Sequence, residues 1–390
     1  MTGIWCTIII PIMSAPTINP KLITDHNAFE RTVDALLQQP IVAVDTESNS
    51  LFAYREQVCL IQFSIPGYDY LVDPLALKDL SPLEEVFASP KIEKIFHAAE
   101  YDLLTLQRDF GFSFANLFDT MVAARILSRK RVGLGSLLED EFGIYLEKKY
   151  QRADWGKRPL PNGMRQYAGL DTHYLIRLRN LFKKELKDTG RWPIAEEDFS
   201  RLTQVNGTPP EPNGANVWRV NGVYDLSPAE VTILKELTEY REGLAEASNR
   251  PLFKVIGDRT LIAIAVDAPT TLDALSDLPG MSKGQVRRHG KALLNAVREG
   301  QQKPPTKRPR RPRKDDRIIA LTDSLRNWRK VTARKMEVES DIVLPRDILE
   351  QIGEAMPTSQ DQVKDLMKDV PWRYHQYGDQ IFKITQRNRP

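Results

Sequence analysis

The chain has 390 residues, 41% of them hydrophobic and 27% charged, the balance of a soluble globular protein and too long for one ordinary core, so two or three domains are expected. A formal net charge of +3 says little about partners, whereas two cysteines, Cys6 and Cys59, exclude a disulfide framework or thiolate zinc site, and five dispersed histidines form no ligand cluster. No stretch reaches membrane-spanning length. Ile8-Ile9-Ile10 lies in a segment without a basic flank and cut short by Pro11, which makes residues 1–21 an expected N-terminal extension, with Met13 an alternative start and a reducing cytoplasm the expected home.

Thr24-Asp25 ahead of Ala28, Phe29, Val33, Leu36 and Leu37 predicts a capped amphipathic helix. Ile41-Val42-Ala43-Val44 then reads as a buried strand that ends not in a turn but in Asp45-Thr46-Glu47. Residues i and i+2 of a strand share a face, so the two carboxylates stand side by side and repel unless a cation neutralises them. Hard oxygen donors suit Mg²⁺ or Mn²⁺. Taken alone, a D-x-E of this kind is most simply a solvated pair at a strand end.

Strands are expected over 58–64 and 68–73, joined at Pro66-Gly67 as an antiparallel meander opening a mixed sheet. A short helix over 81–87 and a strand at Lys94-Ile95-Phe96 follow. His97-Ala98-Ala99-Glu100-Tyr101-Asp102 begins a helix that runs to Gly111, with Asp102 beside its apolar stripe of Leu103, Leu106 and Phe110. Asp119 reads as the N-cap of a helix to Leu127, and another helix covers 134–142. A basic, aromatic-bearing loop over 148–160 leads to one long helix from Met164 to about Leu186. On it Tyr167 and Asp171, four apart, share a face.

In the second half, Ser227-Pro228-Ala229-Glu230 is a capping signature opening a helix that carries Leu237, Tyr240 and Arg241. Leu237-x-x-Tyr240-Arg241 recurs as Leu325-x-x-Trp328-Arg329, Pro269 as Pro357 and Gly290 as Gly378, each 88 residues on. Leu278-Pro279 finds Val370-Pro371 at 92, which suggests a short, later compensated insertion in a second, diverged copy. Between the copies, seven of the twelve residues 303–314 are basic and four are Pro. This is a semi-extended linker whose charge favours phosphate contact as readily as plain solvation. No Gly-rich phosphate loop occurs, so no nucleotide cofactor is expected.

Asp45, Glu47, Asp102, Tyr167 and Asp171, with the words Cys59-Leu60-Ile61-Gln62, Asp154-Trp155 and Arg158-Pro159-Leu160 between them, resemble the tyrosine-bearing branch of the DEDD 3′→5′ exonucleases, and in particular ribonuclease D. The helical units resemble HRDC domains. The resemblance implies a ribonuclease H-like α/β mixed-sheet exonuclease domain over 22–205, an HRDC domain over 222–300, the basic linker over 301–316 and a second HRDC-like all-α domain over 317–388. It implies two divalent ions, Mg²⁺ or Mn²⁺, held by Asp45, Glu47, Asp102 and Asp171, and water oriented by Tyr167. Two ions about 3.5–4 Å apart can clamp the attacking, non-bridging and leaving oxygens of a phosphodiester. The implied substrate is the 3′ end of structured RNA such as a tRNA precursor, shortened to nucleoside 5′-monophosphates. Gln62, His97 and Arg288 are further candidates for nucleic-acid contact, with strand packing the alternative for Gln62 and a structural role the preferred one for His97. A DNA exonuclease is the rival enzyme. A catalytically silent RNA-binding protein is the rival from another class, and the presence of all five residues counts against it.

Overall fold

The structure, a computed structural model, describes residues 13–204, 216–309 and 315–388. The first twelve residues of the expected extension, and residues 310–314 of the expected linker, lie outside the described residues. The described residues belong to two compact units: one draws on Met1–Glu47, Val58–Gly207 and Arg313–Pro390, the other on Ser48–Gln57 and Thr208–Pro312.

The first unit is built on eight strands: β1 (Met13–Ser14), β2 (Lys21–Ile23), β3 (Ile41–Ser48), β4 (Val58–Ile65), β5 (Tyr68–Val72), β6 (Glu93–Phe96), β7 (Leu117–Asp119) and β8 (Ile144–Tyr145). Six of them form one sheet in the order β2-β5-β4-β3-β6-β7, and β1 pairs separately with β8. The β4–β5 hairpin is antiparallel, as the Pro66-Gly67 turn leads one to expect, and Gly67 takes the positive φ of +84° that the turn needs. β2 lies parallel to β5, and β6 parallel to both β3 and β7, so the sheet is mixed. All eight residues of β4 are buried, the mark of a strand covered on both faces.

Eight helices complete the nuclease-like part: α1 (His26–Leu37), α2 (Leu83–Ala88), α3 (Glu100–Phe110), α4 (Thr120–Ile126), α5 (Leu134–Phe142), α6 (Asn162–His173), α7 (Leu175–Asp188) and α8 (Trp192–Thr203). Asp25 caps α1 through Ala28 N, as its sequence predicts. Three expectations change. The single helix over 164–186 is broken at Tyr174. The first piece buries Ala168 and Thr172 towards β4, with Thr172 bonded to Ser64 at 2.6 Å, whereas the second buries Leu178, Phe182 and Leu186 beside α4, and one straight axis cannot serve both. The helix expected from His97 starts at Glu100, because Ala98 adopts φ +64°. Residues 13–21, expected in the extension, are drawn onto the unit: β1 pairs with β8, the Ile18 backbone meets Gln166 through both its N–H and its carbonyl, and Lys21 opens β2.

The second unit holds α9 (Pro228–Ala247), α10 (Leu252–Val255), α11 (Asp258–Asp267), α12 (Leu272–Ser276) and α13 (Lys283–Gln302). Ser227 and Glu230 form the anticipated reciprocal cap. The first unit ends in an equivalent set: α14 (Asp316–Met336), α15 (Ser340–Val343), α16 (Arg346–Ala355), α17 (Gln360–Leu366) and α18 (Pro371–Arg387). The starts of α11 and α16 (258, 346), α12 and α17 (272, 360), and α13 and α18 (283, 371) are each 88 apart. Arg241 donates to the Ile256 carbonyl at 3.0 Å, and Arg329 to the Leu344 carbonyl at 2.9 Å, the same bond at the same spacing. Ala268 and Met356, again 88 apart, end α11 and α16 in the left-handed conformation. The repeat is therefore in constant register, and the expected insertion is absent from it: Pro279 lies in the loop before α13, whereas Pro371 is the first residue of α18. Among the described residues no helix is long and apolar enough to cross a membrane.

Candidate active site

Strand alternation sets the first two residues. Val42 and Val44 pack into the core on one side of β3 and Ala43 into the core on the other, so Asp45 and Glu47 continue the Ala43 face. Asp102 reaches the same place from the first turn of α3, where it is buried, and the Thr46 hydroxyl donates to its Oδ1. Tyr167 and Asp171 come from one face of α6. Asp45, Glu47, Tyr167 and Asp171 line a cavity of about 380 Å³ together with Thr46, His97, Lys148 and Gln151.

Two devices place these side chains. Asp119 does more than cap α4: its carboxylate accepts from Met121 and Val122 at the start of α4 and from Ala98 and Ala99 just before α3. That grip holds the left-handed bend at Ala98, a conformation costing an L-residue roughly 1–2 kcal/mol, and so sets the start of the helix bearing Asp102. On the other side, Arg158 grips the buried Asp73 with Nε at 2.6 Å and Nη2 at 2.7 Å, and donates to the Cys59 carbonyl. Trp155 and Leu160 pack with Cys59, Leu60, Leu71, Met164 and Ala168. The loop word of the sequence is thus an anchor for the N-terminal end of α6. It also packs Tyr150 and Trp155 against the Tyr167 ring, with centroids 6.2 and 6.1 Å away.

Like charge dominates the electrostatics. Burial, then the neighbouring Asp171 carboxylate, pushes Asp45 well above the carboxylate range. Glu47 is pushed up by burial and then by Asp45, Asp171 and Asp102, and Asp102 by burial and then Asp45. Burial lifts Asp171 to about 8. Tyr167 is raised far above its ordinary range by burial, then by Asp171, Glu47 and Asp45. Among the described residues, no three His, Cys, Asp or Glu side chains are gathered tightly enough to grip an ion as they stand. The donor set is all hard oxygen, and its one imidazole neighbour, His97, is engaged through Nδ1 with Thr120 at 2.9 Å. Such a set fits divalent cations of the Mg²⁺ or Mn²⁺ type and not a soft-metal site.

The three further candidates separate. His97 lines the cavity yet does not begin α3; burial lowers its pKa, and Thr120 holds its ring. Gln62 is fully buried in β4, and neither of its amide atoms has a hydrogen-bond partner. Arg288 is exposed on α13 of the other unit. Thr46, inside the D-x-E word, is also a place where the sequence allows a contact to a 2′-hydroxyl, whereas Lys148 and Gln151 were passed over as cavity-lining groups, since nothing in the basic loop distinguished them from solvated neighbours.

The comparisons with known proteins agree with this architecture. A 3′-5′ exonuclease family model matches residues 20–187, and an HRDC domain model matches 230–297 and again 319–385. The chain is 32% identical to a ribonuclease D of Jannaschia sp. (strain CCS1) over 347 residues, 86% of this chain and 89% of that one. It is 31% identical over 336 residues to Protein RRP6-like 1 of Arabidopsis thaliana, covering 83% of this chain. Of that protein and two further RRP6-type relatives it spans only 51%, 34% and 42% of the length. The fold of Escherichia coli RNase D, at 23% identity, superposes with a TM-score of 0.65 over 95% of this chain and 99% of that one. A ribonuclease H-like exonuclease fold followed by two HRDC-type helical domains, with the identity to ribonuclease D relatives over most of their length, makes this chain a member of the ribonuclease D family.

Proposed function

We propose that this protein is a divalent-metal-dependent 3′→5′ exoribonuclease of the cytoplasm that shortens the 3′ ends of structured RNA, tRNA precursors among them, releasing nucleoside 5′-monophosphates. The observation that carries this reading is the convergence of Asp45, Glu47, Tyr167 and Asp171 on one cavity, with Asp102 beside Asp45 and Glu47, from one strand and two helices. Four mutually repelling carboxylates are costly to keep without bound cations. They are the residues that would hold Mg²⁺ or Mn²⁺. When bound, such ions neutralise charge developing on phosphodiester oxygens and lower the pKa of water.

The chain's own groups supply orientation. An unperturbed tyrosine hydroxyl ionises only near ~10, which favours Tyr167 as a positioner of the attacking water over its base. Thr46 steers the Asp102 carboxylate through its hydroxyl. Lys148 lines the same cavity and offers a cation to a substrate phosphate. In this reading the segment 22–205 carries catalysis, and the helical domains over 222–300 and 317–388, with the basic linker 301–316, handle the body of the RNA.

The test offers the full chain a tRNA-like RNA with a single-stranded 3′ end, and a DNA of equal sequence, in Mg²⁺, Mn²⁺ or EDTA, with Asp45→Asn alongside. Stepwise 3′ shortening of RNA that EDTA and Asp45→Asn abolish is the expected result. Preferential trimming of DNA would move the assignment to the DNA exonuclease. RNA binding without any shortening would leave the silent-binding reading in its place.

A further inference from the structure

The second unit carries an arrangement that the catalytic reading does not use. Two short 3₁₀ turns, Val217–Arg219 and Val223–Asp225, are joined through Gly222 at φ +95°. Val217, Val220 and Val223, spaced by three, bury one side of this segment in the helical core. Trp218, partly buried against the same core, stacks with the exposed Tyr224, with ring centroids 6.1 Å apart and planes 25° apart. Tyr224 is 53% exposed.

The basic segment after α13 runs to this pair and is fastened there. Lys303 Nζ meets the buried Glu236 carboxylate at 2.6 Å. Thr306 N donates to Thr232 Oγ1 at 2.7 Å and to the Pro228 carbonyl at 3.1 Å. Pro304, Pro305 and Pro309 stiffen the run. The consequence is that the Arg308 guanidinium lies 4.2 Å from the centre of the Tyr224 ring. Lys307, Arg308 and Arg219 are all exposed around the aromatic pair. A spacer required only to connect two domains needs none of these attachments.

From this geometry we infer that Trp218, Tyr224 and Arg308 form a stacking platform for single-stranded RNA on the first helical unit. Aromatic faces and planar guanidinium groups both stack on nucleobases whatever their identity, and the surrounding Lys307 and Arg219 supply phosphate contacts. The combination favours a flexible single strand over a duplex, whose bases are already stacked on one another. An acidic peptide would use the cations but has no need of the rings. The inference rests on the exoribonuclease reading for its choice of ligand, since the other chemistry of this chain points to RNA.

The experiment is fluorescence anisotropy of a labelled single-stranded oligoribonucleotide with the full chain in EDTA, where hydrolysis cannot intrude. Tyr224→Ala is expected to weaken binding about tenfold and Tyr224→Phe less than twofold, because stacking needs the ring and not the hydroxyl. Lys307→Ala, which removes a phosphate contact, is expected to lower the slope of log Kd against log salt by about one. Tyr224→Ala binding within twofold of the parent, or a parent that binds no RNA, overturns the platform, as does displacement of the RNA by polyglutamate that Tyr224→Ala leaves untouched. Shortening assays on the same parent protein separate the two readings. Trimming by a parent whose Tyr224→Ala variant binds equally well refutes the platform alone. A tenfold loss on Tyr224→Ala in a chain that never trims RNA supports the platform and refutes the nuclease.

Discussion

Arg373 is the most exacting test of the physical reasoning. It is fully buried on α18, donating from Nη1 to Glu197 at 2.8 Å, from Nη2 to Asp198 at 2.9 Å, and from Nε and Nη2 to the Ile342 carbonyl at 3.1 and 3.0 Å. Glu197, on α8, is itself 7% exposed. Replacing Arg373 by Met keeps the volume, but the buried Glu197 carboxylate loses its cation and retains only the backbone N–H bonds of residues 372 and 373, and the Ile342 carbonyl loses the guanidinium donors. Loss of one partner from a buried ion pair costs about 3–5 kcal/mol. The pH dependence has a definite sign. Burial already pushes the Glu197 carboxyl above its ordinary range, and Arg373 pulls it part of the way back. A carboxyl whose folded pKa is raised costs stability above that pKa and none below its unfolded value of ~4.3. Without Arg373 the upward displacement is larger, so the deficit of Arg373→Met is full at pH 8 and shrinks as the pH falls through the folded value. The assay is urea unfolding of the full chain followed by tryptophan fluorescence, Trp372 and Trp192 flanking the contact in sequence, at pH 8 and pH 5. Adding Glu197→Gln to Arg373→Met should recover a large part of the loss at pH 8. A single variant within about 1 kcal/mol of the parent at pH 8, or a deficit that grows on acidification, would refute the reasoning.

Other outcomes follow from the same structure. A Cβ on Gly300 would sit 2.5 Å from Ile233 Cα, a backbone atom that cannot step aside, so Gly300→Ala should push α9 from α13 and destabilise the second unit by about 1–3 kcal/mol, read by hydrogen exchange of that unit's amides. Tyr167→Phe removes the positioning hydroxyl and keeps the ring between Tyr150 and Trp155; kcat for RNA shortening should fall on the order of 10²-fold while the melting temperature holds. Thr46→Val frees Asp102 from its hydroxyl partner, and the Mg²⁺ concentration giving half-maximal shortening should rise several-fold, whereas an unchanged metal requirement would remove Thr46 from the site.

Much of the site was legible in the sequence because its carriers are local. Asp45 and Glu47 share a face by strand alternation alone, and Tyr167 and Asp171 do so by the helical period, before any fold is known. The repeat was legible for a similar reason: Arg241 and Arg329 reproduce one hydrogen bond 88 residues apart, and a repeated bond leaves a repeated residue. What remained hidden is what depends on partners distant in the chain. Gln62 stood in a word between candidate site residues, and only the packing of α6 against β4 shows that it is buried. The break at Tyr174 is invisible in helix propensity, because it arises from two separate surfaces, β4 and α4, that one axis cannot cover. Asp119 reads locally as a cap, but its hold on Ala98 and Ala99 requires β6 and β7 to lie side by side. Periodicity determined which residues could face the site; the long-range packing of strands and helices decided which of them do, since burial and hydrogen-bond partners are properties of the assembled chain.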